Sequence, residues 1–246
     1  MAEKNQQVDS TAGRPAKRGR WKRNLALAIA LALALTGAGL ILYPTADNFI
    51  YEQQVERHEQ AFIQKKEDNA QPYEDLYQYL KQENQRMFET GQSGLKDAFS
   101  YQTAGIDLTS YGITDGCIGF VEIPSINVKL PIYLGANTAN MDKGAVHLTE
   151  TSYPIGGINT NAVIAAHRAI TKNMFKNINK IRIGDKVLIT NFREQLVYQV
   201  VRIEIIQPYE INKVKIQAGR DMVTLFSCDP PGQTTYRYVV YCERAG

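Results

Sequence analysis

The feature that most constrains the fold of this chain is a series of short strand-like segments in its second half. Seven runs of β-branched and aromatic residues follow Gly116 and are separated by Gly, Pro and Asn. They span residues 121–123, 128–130, 162–165, 186–189, 196–203, 223–227 and 238–241. Many short strands with few helices are typical of a closed barrel or a sandwich. We therefore predict a mainly β domain over residues 116–246, and the 44% hydrophobic content of the chain suffices for one core.

An uncharged apolar run at residues 25–43 predicts a transmembrane helix. As a helix this run would be about 28 Å long, close to the hydrocarbon thickness of a bilayer. A cleaved signal peptide is the alternative interpretation, although its apolar region is usually shorter. Basic residues flanking a membrane helix stay on the cytoplasmic side. We therefore predict a cytoplasmic tail over residues 1–24, a single-pass anchor in the cell membrane and an extracellular β domain.

The basic residues of the N-terminal tail are explained by this topology without a nucleic-acid partner. The formal net charge of the chain is only +3. Much of the excess lies beside the apolar run, at Arg14, Lys17, Arg18, Arg20, Lys22 and Arg23. A cluster in this position is a topology signal.

Residues 44–94 are polar, with apolar side chains at near-helical spacing, and predict two helices broken around residues 69–72. We interpret them as a helical stalk that lifts the β domain from the lipid, and not as a coiled coil, because no heptad repeat is sustained. His58 falls in this stalk and is expected to be solvated. Residues 95–115 contain Gly, Ser and scattered aromatic residues and predict a linker.

Three candidate reactive residues lie at the ends of predicted strands. Cys228 is followed by Asp-Pro-Pro-Gly, which ends a strand and is expected to expose the thiol at its rim. His167 ends the apolar run at 163–166, and Arg237 lies nine residues after Cys228. Taken singly, the cysteine would be inert core and the histidine a satisfied core residue. Together they have the groups needed to attack a carbonyl through sulfur, move a proton and stabilise the oxyanion.

The order of these motifs resembles the sortase family of cysteine transpeptidases of the Gram-positive cell surface. The family's active strand reads Thr-Leu-x-Thr-Cys, and here Thr224-Leu-Phe-Ser-Cys228 keeps a hydroxyl at Ser227. The similarity continues through Gly-Phe-Val-Glu-Ile-Pro-Ser-Ile at 119–126, Leu-Pro-Ile-Tyr at 130–133 and Gly-Ala-Val-His-Leu at 144–148. It implies an eight-stranded sortase β-barrel with short helices near 138–141 and 172–179, and a structural role for His147.

The resemblance also implies the chemistry. Cys228 would attack an LPXTG-like sorting signal of a surface protein or pilin to form a thioacyl enzyme, with His167 as acid and base and Arg237 as substrate or oxyanion ligand. An amine acceptor, either a pilin lysine or peptidoglycan, would complete the transfer, and no cofactor or metal is implied. The segment 206–221 corresponds to the loop that walls the family's substrate groove.

Within the family the sequence is most similar to class C, the pilin-polymerising sortases. Class C members carry an Asp-Pro-aromatic lid over the active site, and Asp97 and Phe99 stand at a comparable position, with Ala98 in place of Pro. We therefore assign Ser227, Asp97 and Phe99 to substrate binding or to a lid. Cys-Asp-Pro-Pro-Gly also differs from the class C Cys-Thr-Pro-Tyr-Gly, and a housekeeping sortase that anchors proteins to peptidoglycan cross-bridges is the alternative.

Other interpretations of the exported β domain were weighed against this one. Cys117 and Cys242 would form a disulfide in one interpretation and be buried small hydrophobic residues in the other. No Cys-x-x-Cys or His-rich spacing supports a zinc site. An L,D-transpeptidase would need a Ser-His-Gly-Cys signature, which the sequence lacks. A non-enzymatic adhesion module would leave the combination of Cys228, His167 and Arg237 unexplained.

Overall fold

The computed structural model describes residues 18–68, 70–95, 105–168 and 172–245, with the side chains of 18–20 and 67–68 left out. Two compact units are present, residues 1–46 and residues 47–246. The helices are α1 (Arg18–Asp68), α2 (Ala70–Thr90) and α3 (Thr138–Met141), with 3₁₀ turns at Thr109–Tyr111, Pro124–Ile126, Phe175–Lys180 and Ile211–Val214. The strands are β1 (Cys117–Ile123), β2 (Val128–Leu134), β3 (Ala145–His147), β4 (Thr160–Ala165), β5 (Lys186–Asn191), β6 (Gln195–Ile206), β7 (Asp221–Asp229) and β8 (Tyr236–Arg244).

The described strands close into a barrel in the order β1-β2-β3-β4-β7-β8-β6-β5. Neighbouring strands are antiparallel except for two parallel pairs, β2 with β3 and β4 with β7. Side chains of Leu130, Val163, Ile189, Leu225 and Val240 are fully buried in its core. The closed barrel with short helices confirms the predicted fold class. Closure pairs the two edge strands that an open sheet would leave exposed.

β3 is the strand that the sequence pattern did not predict. It has three residues, pairs in parallel with β2 and antiparallel with β4, and supplies the eighth strand of the barrel. The chain enters it at Gly144, where a Cβ atom would lie 2.8 Å from the carbonyl oxygen of Pro131. A side chain at 144 would therefore collide with β2, which is why glycine opens this strand.

The first part of α1 is a candidate membrane span. Among the described residues one helix is long and apolar enough to cross a bilayer by length and composition, and none of its apolar window is buried within the protein. Pro44 lies inside this helix, which continues without interruption to Asp68. The break predicted around residues 69–72 stays a prediction: α1 is described to Asp68 and α2 from Ala70, and residue 69 lies outside the described residues.

The helices of the second unit pack on the barrel, which differs from the stalk expected for residues 44–94. From α1, Phe62 makes an edge contact with Phe120 of β1, their ring centroids lying 5.5 Å apart. From α2, Leu76 and Leu80 are 0% and 1% exposed. Periodic apolar residues indicate an amphipathic helix but do not identify the surface that covers its apolar face. Here that surface is the barrel.

Polar contacts also connect the helices to the barrel. The Asn84 amide group receives a hydrogen bond from the backbone N–H of Tyr153 at 2.7 Å and donates to its carbonyl oxygen at 3.2 Å. His58 lies against Phe120 with its Nε2 atom 2.9 Å from Asp115 Oδ2, and this hydrogen bond holds the pKa of Asp115 below its usual value. The expectation that His58 is merely solvated was therefore wrong, since its ring packs between α1 and β1.

Candidate active site

The candidate nucleophile Cys228 lies on β7, whose neighbours in the barrel are β4 and β8. Every residue of β7 between Met222 and Cys228 is buried, and Cys228 is 7% exposed. Successive side chains of a strand point to opposite faces, so Cys228 points away from its neighbours Ser227 and Asp229. The strand ends one residue later, at Asp229, as predicted from the Pro-Pro-Gly sequence that follows.

Arg237 is the direct cross-strand partner of Cys228. The two residues oppose each other in the antiparallel register of β7 and β8, so their side chains share one face of the sheet. Arg237 is 3% exposed, and its Nη1 atom donates to the carbonyl oxygens of Thr234 at 2.9 Å and Tyr236 at 3.1 Å. The backbone just before β8 therefore orients the guanidinium toward the side of the sheet that carries the thiol.

His167 reaches the same end of the barrel through the parallel pair of β4 and β7. Ala165 pairs with Phe226, and the next amide, at Ala166, donates to the Phe226 carbonyl oxygen at 3.2 Å. The same register continued for two residues beyond the pair of Ala165 and Phe226 would bring His167 level with Cys228. The His167 carbonyl oxygen also accepts a hydrogen bond from the amide of Phe175 at 3.1 Å, which connects this segment to the first residue of the turn Phe175–Lys180, whose side chain is buried.

The structure gives Ser227 a supporting position. Its side chain is fully buried, and its hydroxyl donates to the carbonyl oxygen of Ala166 at 2.8 Å. The hydroxyl thus connects β7 to the residue before His167, on the face opposite Cys228. A group buried in this way has no contact surface for a peptide, so the assignment of Ser227 to substrate binding is replaced by one of support. Asp97 and Phe99, assigned to a lid, lie outside the described residues.

The predicted groove-wall segment 206–221 is fastened to the face of β4 and β7 that carries Cys228. Asn161 of β4 donates from Nδ2 to the carbonyl oxygen of Val214 at 2.8 Å, and its Oδ1 accepts from the hydroxyl of Thr224 at 2.8 Å. Val214 itself is fully buried. Thr224 and Cys228 are four residues apart on one strand and share a face. The segment therefore lies along the strand that carries the thiol.

Sequence reasoning missed the ion pair formed by Arg168 and Asp229. Arg168 Nη1 contacts Asp229 Oδ1, and the two side chains are 7% and 22% exposed. The guanidinium also lies over the ring of Tyr238, 5.5 Å from its centroid. The available signal was adjacency: each charge directly follows a candidate catalytic residue in the sequence, His167 or Cys228.

His147 is a buried structural residue, as the sequence interpretation expected. It is 1% exposed, its Nε2 atom lies 3.0 Å from the Ser152 carbonyl oxygen, and its ring stacks on Tyr153. Burial lowers the pKa of His147 to about 4, so the ring is neutral at pH 7 and donates from Nε2 to that carbonyl. It therefore has no role as a titrating base near neutral pH.

Cys117 and Cys242 are free, buried thiols, and the disulfide interpretation is wrong. Cys117 opens β1, whereas Cys242 lies near the end of β8, strands that are not neighbours in the barrel. Burial raises the pKa of Cys117 to about 12, and burial also raises the pKa of Cys242. Neither thiol is therefore ionised at neutral pH.

Comparison with known proteins decides the family. A family model described as the sortase domain matches residues 121–245, which cover all the barrel from the middle of β1 to the end of β8. The chain belongs to the sortase family. Sortase A of Listeria monocytogenes is 30% identical over 129 residues, which are 52% of this chain and 57% of the Listeria protein. The matched segment thus spans less than two thirds of that relative.

Solved sortase C structures match this sortase over more of its length. Sortase C from Clostridium perfringens SM101 is 32% identical with a TM-score of 0.64, and the match covers 77% of this chain and 99% of that one. A Clostridium perfringens sortase C with the C-terminal cell wall sorting motif is 35% identical with a TM-score of 0.59, covering 70% of this chain and 89% of that one. The barrel is therefore the sortase fold, and it is similar to that of class C enzymes.

Proposed function

We propose that this sortase is a membrane-anchored cysteine transpeptidase that cleaves an LPXTG-like sorting signal and transfers it to an amine. The observation that carries the proposal is the pairing of Cys228 with Arg237 across β7 and β8. The parallel pairing of β4 with β7, which ends two residues before His167, supports it. A nucleophile, a proton carrier and a fixed cation at one end of a barrel are sufficient for acyl transfer.

In the first half of the reaction, the Cys228 thiolate attacks the carbonyl carbon of the sorting-signal threonine. A C–S bond forms and the carbonyl π electrons move to oxygen, where the Arg237 guanidinium stabilises the negative charge. As the carbonyl re-forms, the C–N bond breaks and His167, in its protonated form, gives a proton to the departing amine. The product is a thioester on Cys228.

In the second half, an acceptor amine attacks the thioester carbonyl. His167, now neutral, takes the proton that the amine loses, the C–S bond breaks and the thiolate is restored. The new amide bond joins the sorted protein to its acceptor. His167 ends the second half protonated, which is the form that the first half of the next cycle requires. The protons are therefore balanced without an external acid or base.

The acceptor that we propose is a lysine of a pilin, which would make this a pilus-assembly enzyme. The similarity to sortase C structures supports this choice. The candidate membrane span in α1 supports an anchored enzyme whose catalytic domain is extracellular. A housekeeping sortase that attaches surface proteins to peptidoglycan cross-bridges remains the second candidate, since the Cys-Asp-Pro-Pro-Gly segment departs from the class C pattern.

The detergent-solubilised full chain, incubated with a fluorogenic LPXTG peptide, tests the nucleophile. Mass spectrometry is expected to find the acyl group on Cys228. Cys228→Ala is expected to abolish cleavage, and Cys228→Ser nearly so, because a hydroxyl is far less ionised than a thiol at neutral pH. Cys117→Ala is the matched control, as this second thiol is buried elsewhere in the barrel. Near-parental cleavage by Cys228→Ala would refute the proposal.

Competition between two acceptors distinguishes the two candidate functions. The acyl enzyme is offered a lysine-containing pilin peptide and a peptidoglycan cross-bridge peptide at equal concentration, and the amide products are separated and quantified. Preference for the lysine side chain supports pilus assembly. Preference for the cross-bridge amine assigns the enzyme to surface-protein anchoring.

A further inference from the structure

Two charged residues that the proposed chemistry does not use lie directly beside the candidate catalytic residues. Arg168 follows His167 after β4, and Asp229 follows Cys228 at the end of β7. Their side chains form the ion pair described above, in which Arg168 is 7% exposed. The pair therefore connects the segment that carries the proton carrier to the strand that carries the nucleophile.

Strand alternation places this ion pair behind the candidate site. Asp229 points to the face of β7 opposite Cys228. Tyr238, whose ring faces the Arg168 guanidinium, is the cross-strand partner of Ser227, and it likewise alternates with Arg237 on β8. The ion pair and the aromatic ring thus lie on the reverse face of the two strands whose front face carries Cys228 and Arg237.

The contact is poorly explained as a source of folding stability. Removing two charges from water costs about as much as their attraction returns, and apolar side chains of similar size often replace such pairs without loss. Within the part of the chain that the structure describes, Arg168 Nε has no hydrogen-bond partner although it is buried. A guanidinium held by one nitrogen, with a buried donor left over, is better explained by a geometric task than by stability.

The contacts that attach the His167 segment to the barrel indicate what this geometric role is. Its backbone is held on one side by the bond from Ser227 to Ala166 and on the other by the bond from Phe175 to the His167 carbonyl oxygen. The contact of Arg168 with Asp229 is the only ion pair among the described residues that links this segment to β7. Without it, the bond from the Ser227 hydroxyl to the Ala166 carbonyl oxygen would be the side-chain connection left among the described contacts between this segment and β7.

We propose that Arg168 and Asp229 are positioning residues, which hold His167 and Cys228 at a fixed separation so that proton transfer to the departing amine keeps pace with breaking of the C–N bond. This inference rests on the proposed function. Misplacement of a reacting group by about 1 Å costs on the order of 100-fold in rate, while leaving the substrate-binding surface in place. Loss of the pair therefore reduces kcat and leaves KM nearly unchanged.

Steady-state kinetics of peptide cleavage by the full chain in detergent test the inference. Arg168→Gln and Asp229→Asn are each expected to lower kcat by about 10- to 100-fold, with KM within about twofold of the parent. The double variant is expected to be no slower than the slower single variant, because both remove one contact. Since only Nη1 of Arg168 meets the carboxylate, Arg168→Lys is expected to restore most of kcat.

The exposed ion pair of Arg220 and Glu243 provides the matched control. It joins the residue before β7 to β8 with a 2.5 Å contact, its side chains are 52% and 36% exposed, and it lies at the end of the two strands opposite Cys228 and Arg237. Glu243→Gln, which removes this pair from the β8 side, is expected to change kcat by less than about twofold, as surface pairs contribute little. Circular dichroism melting of every variant separates loss of fold from loss of position.

Two results would overturn the inference without touching the proposed function. A kcat within twofold of the parent in both single variants, or a raised KM at constant kcat, would show that the pair does not position the reacting groups. If Arg168→Gln does not fold, the isosteric Asp229→Asn and the Arg168→Lys rescue decide the question. Cleavage by Cys228→Ala would instead refute the proposed function itself.

Discussion

Cys228 and Arg237 are opposite each other in the antiparallel register of β7 and β8. The fixed pairing holds a cation beside the thiol whatever the loop between the strands does, because both residues are part of the hydrogen-bonded barrel. His167, by contrast, lies just beyond the end of β4 and depends on contacts outside the sheet. The positions of the proposed nucleophile and its cation are thus set by the strand register, and that of His167 by its surroundings.

Two substitutions of Arg237 distinguish the contribution of its positive charge from that of its planar guanidinium geometry. Arg237→Gln is expected to lower kcat/KM for peptide cleavage by about 100- to 1,000-fold, the usual loss for one oxyanion donor. Arg237→Lys is expected to recover only a small part of this loss. The guanidinium bonds the Thr234 and Tyr236 carbonyl oxygens through Nη1 and keeps other nitrogens for the substrate, whereas lysine has a single nitrogen for both tasks. Full recovery with lysine would mean that Arg237 acts as a point charge.

A lid formed by Asp97 and Phe99, expected from the class C resemblance, is tested by thiol accessibility. If these residues cover the active site, Asp97→Ala and Phe99→Ala each favour the open form and raise both the rate of alkylation at Cys228 and the rate of peptide hydrolysis. The double variant is expected to add little, since both changes act on one element. An unchanged alkylation rate in both single variants would favour the housekeeping assignment.

Packing of α2 on the barrel is expected to contribute to the stability of the catalytic unit. Leu80→Ala removes a side chain that is 1% exposed and is expected to lower the free energy of unfolding by about 2–5 kcal/mol. Lys81→Ala, at the exposed neighbouring position, is the control, and its effect is expected to stay within about 0.5 kcal/mol. Urea titration followed by near-UV circular dichroism measures both. Equal effects would indicate a helix that is free of the barrel.

Acid sensitivity of the fold is expected to depend on His147. Its pKa is lowered from 6.5 to about 4 in the folded state, so between these values the unfolded chain binds more protons and stability falls as the pH drops. The loss from this residue reaches up to about 3 kcal/mol near pH 4. His147→Gln removes it, so the stability difference between variant and parent is expected to move in favour of the variant between pH 7 and pH 4. A difference that does not change with pH would contradict the prediction.

The barrel was predictable from sequence because most of its strands show the local signal that strands require. β-branched residues bounded by turn residues identified parts of seven strands, and the catalytic candidates were found at the ends of three of them. β3 was not predicted as a strand because three residues, Ala145–His147, are too few to show an alternation. Its position depends on parallel pairing with β2, a contact made between separate parts of the chain.

The misassigned features share a physical cause. Whether Leu76 faces solvent, a partner or the barrel depends on tertiary packing that a 3.6-residue period does not encode. Arg168 and Asp229 each look like ordinary surface charges in the sequence, and only the parallel register of β4 and β7 brings them into contact. Ser227 was misassigned because a hydroxyl next to the nucleophile suggests substrate contact, whereas strand alternation turns it to the opposite face.

The parallel pairing of β4 with β7 has a consequence for how the enzyme matures. Thr160 to Ala165 can pair with Asp221 to Phe226 only after β5, β6 and the connecting loops have been made, so the contact closes a long stretch of chain. Such non-local contacts form slowly compared with helices. Recovery of peptide cleavage after dilution from denaturant is therefore expected to lag behind the return of the helical signal, because the site would be complete only at the end of folding.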